Sequence, residues 1–422
     1  MNAPAGRSPR ARGRRGRIAS PTLAIPTQAT VPYWLDEPYE PRPPLDGFAA
    51  VDVCVIGGGV GGLSCARRLA EHGANVLLLE GRTVAAGASG RNGGFLLAGA
   101  AAFHVDARER YGRAAARRLY AHTLKAQEEF YALAADLGAG DAVRRVGCLR
   151  LAASDEEAVH VLRHIDALHE DGFPAERVEG DALPPVLRRI GSVACLTAHD
   201  GALQPARWIR TLARAAEQAG ARICEGTPVA GPVPAPGEGE LRTPGGTVRA
   251  NHVVVAADGA LPRLVPAYAD RISSRRLHMV ATAPLGERVL DAVVYARWGY
   301  EYFQQTLDGR LALGGFSDLD GDASYTDAED GDPAVWDRLD RYVHDELGLA
   351  AEVTHRWVGV VGYGDDGRPF VGPVPGREGL HVLGGYSGTG NLVGYVAGTA
   401  VADRIATGHS EDVGLFAADR VA

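Results

Sequence analysis

The run "VDVCVIGGGVGGLSCARRLAEHGANVLLLE", residues 51–80, constrains this chain more than any other segment. An apolar stretch ends in glycines, which reads as a buried parallel strand. Leu63, Ala66 and Leu69 follow at helical spacing, and Gly73 suits the end of that helix. "NVLLLE" is a second buried strand, so the segment is a βαβ start. Gly57, Gly59 and Gly62 fit G-x-G-x-x-G. Gly57 permits the tight turn, Gly59 lets backbone approach a pyrophosphate, and Gly62 allows close helix–strand packing. Phosphates would sit at the helix N-terminus, where free N–H groups and the helix dipole favour negative charge. Glu80 lies 23 residues after Gly57, at the end of the second strand. A carboxylate there accepts from both ribose hydroxyls of an adenosine and repels a 2′-phosphate.

The motif alone separates neither FAD from NAD. The sequence after Glu80 discriminates. A nicotinamide domain usually continues into another helix and strand, whereas this chain enters "GRTVAAGASGRNGGF". Its glycines let backbone lie flat against a ligand. Arg91 and Asn92 offer donors to phosphate or flavin oxygens.

At 422 residues the expectation is two lobes. With 46% hydrophobic and 23% charged residues the composition is that of a globular protein. A formal net charge of −8 favours neither nucleic acid nor an anionic membrane. No apolar run reaches a membrane span, and a cytoplasmic location is expected. Cys54, Cys65, Cys148, Cys195 and Cys224 show no C-x-x-C spacing, so no metal site is expected. Residues 1–45 read as a flexible Arg- and Pro-rich arm and lead-in, with "YWLDEPYEPRPPL" on the surface.

Three motifs in order are "DVCVIGGGVGGLSCARRLAEHGANVLLLE", "GASGRNGG" and "DGRPFVGPVPGREGLHVLGGYSGTGNLVG". Together they resemble the D-amino-acid-oxidase-like family of FAD-dependent oxidoreductases over about residues 46–410. The likeness is strongest to its γ-glutamylputrescine oxidase-like branch. The resemblance implies an α/β fold: a Rossmann-type FAD-binding lobe plus a mixed α+β substrate lobe built around a largely antiparallel sheet. Carried over, the FAD lobe is 46–110, 198–262 and 352–412, the substrate lobe 111–197 and 263–351, and 413–422 a tail. Gly57, Gly59, Gly62 and Glu80 would hold the ADP half. Ser89, Arg91, Asn92, Gly93 and Gly94 would lie along the flavin and its phosphates. Val229 would meet the adenine, and Ala257 and Gly259 the pyrophosphate. Gly388, Thr389, Gly390, Asn391 and Leu392 would face the pyrimidine end of the flavin, where N–H groups at a helix start stabilise negative charge.

The implied chemistry is oxidation of a primary or secondary amine to an imine, with electrons passed to O₂ or another acceptor. "YARWGYEYFQQ" supplies Trp298, Tyr300 and Tyr302 at alternate positions, an aromatic face suited to an amine if the run is a strand. Simple packing of the substrate lobe is the competing reading of these aromatics. His278 and His104 are further pocket candidates, and Asp366 reads as a turn residue.

The family's amino-acid oxidases often carry an Arg shortly before the "DG" turn, to grip a carboxylate. Residues 302–306 hold none, which favours an amine without a nearby carboxylate unless Arg297 or Arg276 substitutes. Some relatives that the resemblance brings in attach FAD through a cysteine in the C-terminal third, and no cysteine follows Cys224, so non-covalent FAD is expected. They also activate O₂ with a lysine near the flavin, and the single lysine, Lys125, lies far from the flavin motifs in sequence, which leaves the acceptor open. Oxidation of an amino acid or 2-hydroxy acid, and flavin binding without turnover, remain as alternatives.

Overall fold

The structure, a computed structural model, describes residues 30–410, 414 and 416–421. The expected N-terminal arm over 1–29 lies outside the described residues. Strand β1 (Gly47–Ile56), helix α1 (Val60–Glu71) and strand β2 (Val76–Leu79) form the βαβ start. The β1 burial pattern closes on four buried residues and β2 is buried throughout. That is what a strand covered on both faces requires.

Among the described residues, seven strands form the first sheet. Its order is Phe370–Pro373, Leu380–Gly384, Gly246–Val255, β1, β2 and Arg222–Cys224, with Leu241–Thr243 paired onto Gly246–Val255. The pairings from Leu380–Gly384 through Arg222–Cys224 are all parallel. Helix α1 packs against Pro205–Gln218 and the C-terminal helix Gly390–Thr407, burying Leu63, Leu69, Leu212 and Val401. Full burial of such side chains contributes about 1.5–3 kcal/mol each.

The second sheet runs Val353–Gly364, Ile272–Thr282, Leu311–Gly315, Glu301–Gln305, Val293–Ala296, Cys148–Ala152, Val193–Thr197, Glu176–Glu179. It is antiparallel except for the pairing of Val293–Ala296 with Cys148–Ala152. This matches the expected mixed α/β fold with a largely antiparallel second sheet. A small third sheet joins Phe95–Leu96, Gly201–Leu203 and Val143–Arg145. Among the described residues no helix is long and apolar enough to cross a membrane.

Two sequence expectations change. Val353–Gly364 was assigned to the FAD lobe, but it pairs along its length with Ile272–Thr282 in the second sheet. Two helices, His104–Tyr111 and Arg113–Asp136, follow one another with a break at Gly112, φ +83°. The lead-in is not merely superficial. Trp34 is 1% exposed, and its indole N–H donates to the Asn92 carbonyl at 2.8 Å. Tyr39 and Arg42 tie the same segment to Glu225 and Glu217.

Candidate functional site

The site begins where β1 meets α1. Gly57 has φ +112°, and a Cβ there would lie 2.4 Å from the Ala256 carbonyl oxygen. At Gly62 a Cβ would sit 2.0 Å from the Gly57 oxygen, so α1 can approach the turn only without a side chain. Gly59 caps α1 without a side-chain hydrogen bond of its own. One orphan donor is satisfied from the "GASGRNGG" loop: Val60 N–H donates to Ser89 Oγ at 3.0 Å. The remaining first-turn N–H groups are those a helix start leaves for a ligand.

Glu80 is held by the same turn. Its Oε2 accepts from Gly58 N–H at 2.7 Å and its Oε1 from Arg82 N–H at 2.8 Å. Burial pushes its carboxyl pKa up, and these two backbone bonds oppose the shift.

A continuous cavity of about 970 Å³ runs from this turn to the face of the second sheet. Gly57, Gly59, Glu80, Ser89, Arg91, Asn92 and Gly93 line it, as do Val229, Ala257, Gly259 and the run Gly388–Asn391. Gly62 stands behind the wall, in its expected packing role. Gly94 and Leu392 do not line the cavity. Gly94 is wedged against the Leu203 carbonyl and Gln304 Nε2, and Leu392 is 1% exposed in the core. Helical periodicity turns Leu392 inward while Gly390 and Asn391 begin the helix.

Asn92 also differs from expectation, because protein groups take up its amide. Its Oδ1 accepts from Gly94 N–H at 2.8 Å, and its Nδ2 donates to the Ala88 and Ser89 carbonyls at 3.0 Å. Asn391 pairs with it reciprocally at 3.0 and 3.2 Å and donates to the Phe95 carbonyl at 2.8 Å. The two asparagines therefore lock the glycine loop to the start of the C-terminal helix. That start carries no side-chain cap bond, so its N–H groups remain for a ligand.

Asp258, between the expected Ala257 and Gly259, is one residue that the sequence does not single out. It accepts from Gly362 N–H at 2.8 Å, Gly385 N–H at 3.0 Å and Tyr386 N–H at 3.4 Å. One carboxylate thus joins the end of Gly246–Val255 to the second-sheet strand and to the loop before the C-terminal helix. The available signal was its position in the "AADG" turn closing a buried strand.

Trp298, Tyr300 and Tyr302 all line the cavity, but not as one strand. The strand starts at Glu301, and Arg297, Trp298 and Gly299 form a left-handed turn with φ of 47°, 60° and 84°. Trp298 N–H donates to the buried Glu157, and its indole packs on Phe103 and His160. Tyr302 lies 6.0 Å from Tyr295 and 6.2 Å from Phe95, ring to ring. Tyr295 and Tyr363 complete this aromatic end, and neither was singled out from the sequence. Burial pushes the phenol pKa of Tyr295, Tyr302 and Tyr363 up, so all three stay neutral.

His278 is overturned as a pocket residue. Leu277 and Met279 line the cavity, and the strand's two-residue period turns His278 to the opposite face. There it is fully buried, accepts from Asp332 N–H at 2.7 Å and packs on Trp336. His104 is likewise buried away from the cavity, 2.8 Å from Asp171. Arg276 is committed to Asp320 and Asp330, and Arg297 to Glu301 and Asp318. Lys125 is on an exposed helix face beside Glu129. Asp366 closes its turn by binding Arg368. All five cysteines are buried and free. No cysteine, histidine or lysine is among the residues lining the cavity.

These groups fit FAD. Two helix starts without side-chain caps and the oriented Glu80 carboxylate share the cavity with two glycines that leave no room for a Cβ, Gly59 against Ser89 and Gly93 against Tyr302. The class defined by fold and site is a dinucleotide-binding oxidoreductase with an aromatic compartment formed by a second sheet. The chain belongs to the FAD dependent oxidoreductase (DAO) family, which matches residues 52–404. It is 29% identical over 408 residues to the probable oxidoreductase OrdL of Rhizobium meliloti, covering 92% of this chain and 89% of that protein. It is 26% identical to the gamma-glutamylputrescine oxidoreductase of Escherichia coli, covering 90% and 89%. The crystal structure of glycine oxidase from Geobacillus kaustophilus superposes with a TM-score of 0.74 at 25% identity, covering 88% of this chain and 99% of that one.

Proposed function

We propose that this FAD-dependent oxidoreductase oxidises the C–N bond of a primary or secondary amine to an imine. The observation that carries the reading is the aromatic lining of the cavity, to which Tyr295, Tyr302, Tyr363 and Trp298 contribute and in which no lysine or histidine takes part. Aromatic faces attract a cationic amine and exclude water around its neutral form. Bound FAD would supply the acceptor for the two electrons and the hydrogen of the amine's α-C–H bond.

The neutral phenols cannot act as bases at neutral pH, and no lining group titrates near 7 by nature. The amine therefore reaches the C–H cleavage step having given its proton to solvent, and water then hydrolyses the imine. The N-terminus of Gly390–Thr407 has N–H groups and a dipole that would favour negative charge on a flavin held there. Non-covalent FAD is supported by a cavity wall without cysteine or histidine. O₂ or another carrier takes the electrons onward.

The names of the relatives accord with this, since glycine and γ-glutamylputrescine both carry an amine. The likeness to a glycine oxidase also favours a second reading, an amino acid as the amine. Anaerobic bleaching of the bound flavin across panels of amines, amino acids and 2-hydroxy acids separates the readings. Bleaching by amines, weakened in Tyr302→Phe and Trp298→Ala, is expected. Bleaching by hydroxy acids alone, or unchanged amine turnover in both variants, refutes the proposal.

A further inference from the structure

The segment "YTDAEDGDP", residues 325–333, carries four acids and no base. It leaves the 3-10 turn Gly321–Ser324 and enters the helix Pro333–Arg341 beside the second sheet. Its root is fixed to the strand Ile272–Thr282. Arg276 donates to the Asp330 carbonyl at 2.8 Å, and Asp332 N–H donates to His278 at 2.7 Å. Arg276 is itself buried and paired with buried Asp320 at 3.1 Å. Gly331 packs so closely on Trp336 that a Cβ would lie 2.1 Å from the indole.

The tip of the segment crosses to the first sheet's side of the cavity. Glu329 bridges Arg82 at 2.7 Å and Arg91 at 2.8 Å. Asp327 pairs with Arg263. Arg82 follows β2, Arg91 sits in the glycine loop, and Arg263 lies in the short helix Leu261–Leu264. All five of these residues line the cavity.

Root and tip differ in strength. At the root, Arg276 is 9% exposed and fixed by the buried Asp320. It holds the segment through the Asp330 carbonyl, while the Asp330 carboxylate that it also pairs with is 78% exposed. The fully buried His278 takes the Asp332 N–H. Most tip groups are wetter, with Arg82 49% exposed, Glu329 37%, Arg263 66% and Asp327 54%, and Arg91 at 16% is the driest partner. Exposed pairs are individually weak and screened by salt. A strongly rooted segment with a weakly latched, salt-sensitive tip over a cavity mouth has the mechanics of a strap.

We propose that residues 325–331 are an electrostatic strap over the mouth of the FAD cavity, and that FAD leaves only when the ion pairs of Glu329 and Asp327 open. The proposal rests on the cavity being the FAD site, and it is independent of which amine is oxidised. The test uses FAD-loaded full-length protein diluted into buffer, with release followed as the rise of free-flavin fluorescence at low and high NaCl. Glu329→Gln and the double variant Asp327→Asn/Glu329→Gln are compared with wild type. Glu240→Gln, which removes an exposed pair with Arg249 away from the cavity, is the control.

At low salt the Glu329 variant is expected to release FAD about 3- to 30-fold faster than wild type, and the control to match wild type. High salt should bring the wild-type rate up to that of the variants. Equal rates in wild type and both variants at low salt, or a wild-type rate indifferent to salt, overturn the strap. A protein that takes up no FAD overturns it at its premise. The amine reading fails separately, through the bleaching panel.

Discussion

Asp258→Asn isolates the residue on which the cavity wall converges. Asp258 has φ +45°, and Asn tolerates that left-handed conformation, so the backbone is not the perturbation. The side chain keeps its size but loses one acceptor edge. If the remaining oxygen stays with Gly385 and Tyr386, an NH₂ group faces Gly362 N–H, which now lies 2.8 Å from a carboxylate oxygen. If it turns over, the Gly385 and Tyr386 donors are orphaned instead. A hydrogen bond to a charged group contributes about 1.5–3 kcal/mol, and an orphaned buried donor costs about 1–3 kcal/mol.

Burial of the carboxylate, which pushes its pKa up, is relieved in the amide and offsets part of this. A net loss of about 2–3 kcal/mol remains. Ala257, Gly259, Gly362 and Tyr386 all line the cavity, so the loss falls on the wall of the proposed FAD site. If it is expressed there, FAD affinity drops about 30- to 150-fold. Titration of apoprotein with FAD, read by quenching of flavin fluorescence, measures it. An Asp258→Asn protein with wild-type FAD affinity and an unchanged melting temperature would show that the three backbone bonds do not organise the site.

Three further outcomes are expected. Gly62→Ala places a Cβ 2.0 Å from the Gly57 oxygen, so the β1–α1 turn must open at a cost of about 3 kcal/mol; purification should yield protein depleted of FAD, and a fully loaded variant contradicts this. Asn92→Ala removes the amide pair with Asn391 and the Gly94 acceptor, and should lower thermal stability by about 2–4 kcal/mol, measured by calorimetry. Burial holds His278 at about 4, below its ordinary 6.5, so the folded state resists a proton that the unfolded chain accepts. Its contribution is present above pH 6.5 and is lost as pH falls towards 4, worth about 3 kcal/mol across that window. Urea unfolding at stepped pH should show a shallower acid slope in His278→Gln than in wild type, and equal slopes refute the assignment.

The sequence by itself determined the βαβ start, the glycine turn, the carboxylate at Glu80 and the family. These features are local: hydrophobic runs, a steric demand for glycine, and an acid at a fixed distance along the chain. Tertiary structure decided whatever depends on which strands meet. A single sequence does not display the register that turns Leu277 and Met279 to the cavity and His278 away from it. Nor does it show that Trp298 sits in a left-handed turn rather than a strand, since that turn is held by Glu157 and Asp318 from elsewhere in the chain. Trp34 reads as surface in a proline-rich lead-in and is buried because the glycine loop offers its carbonyl. Asp258 is not singled out by the sequence; it matters because a second-sheet strand and the loop before the C-terminal helix bring three N–H groups to it. Hydrogen bonds between segments a hundred residues apart leave no periodic trace in the sequence, and such bonds shape this cavity.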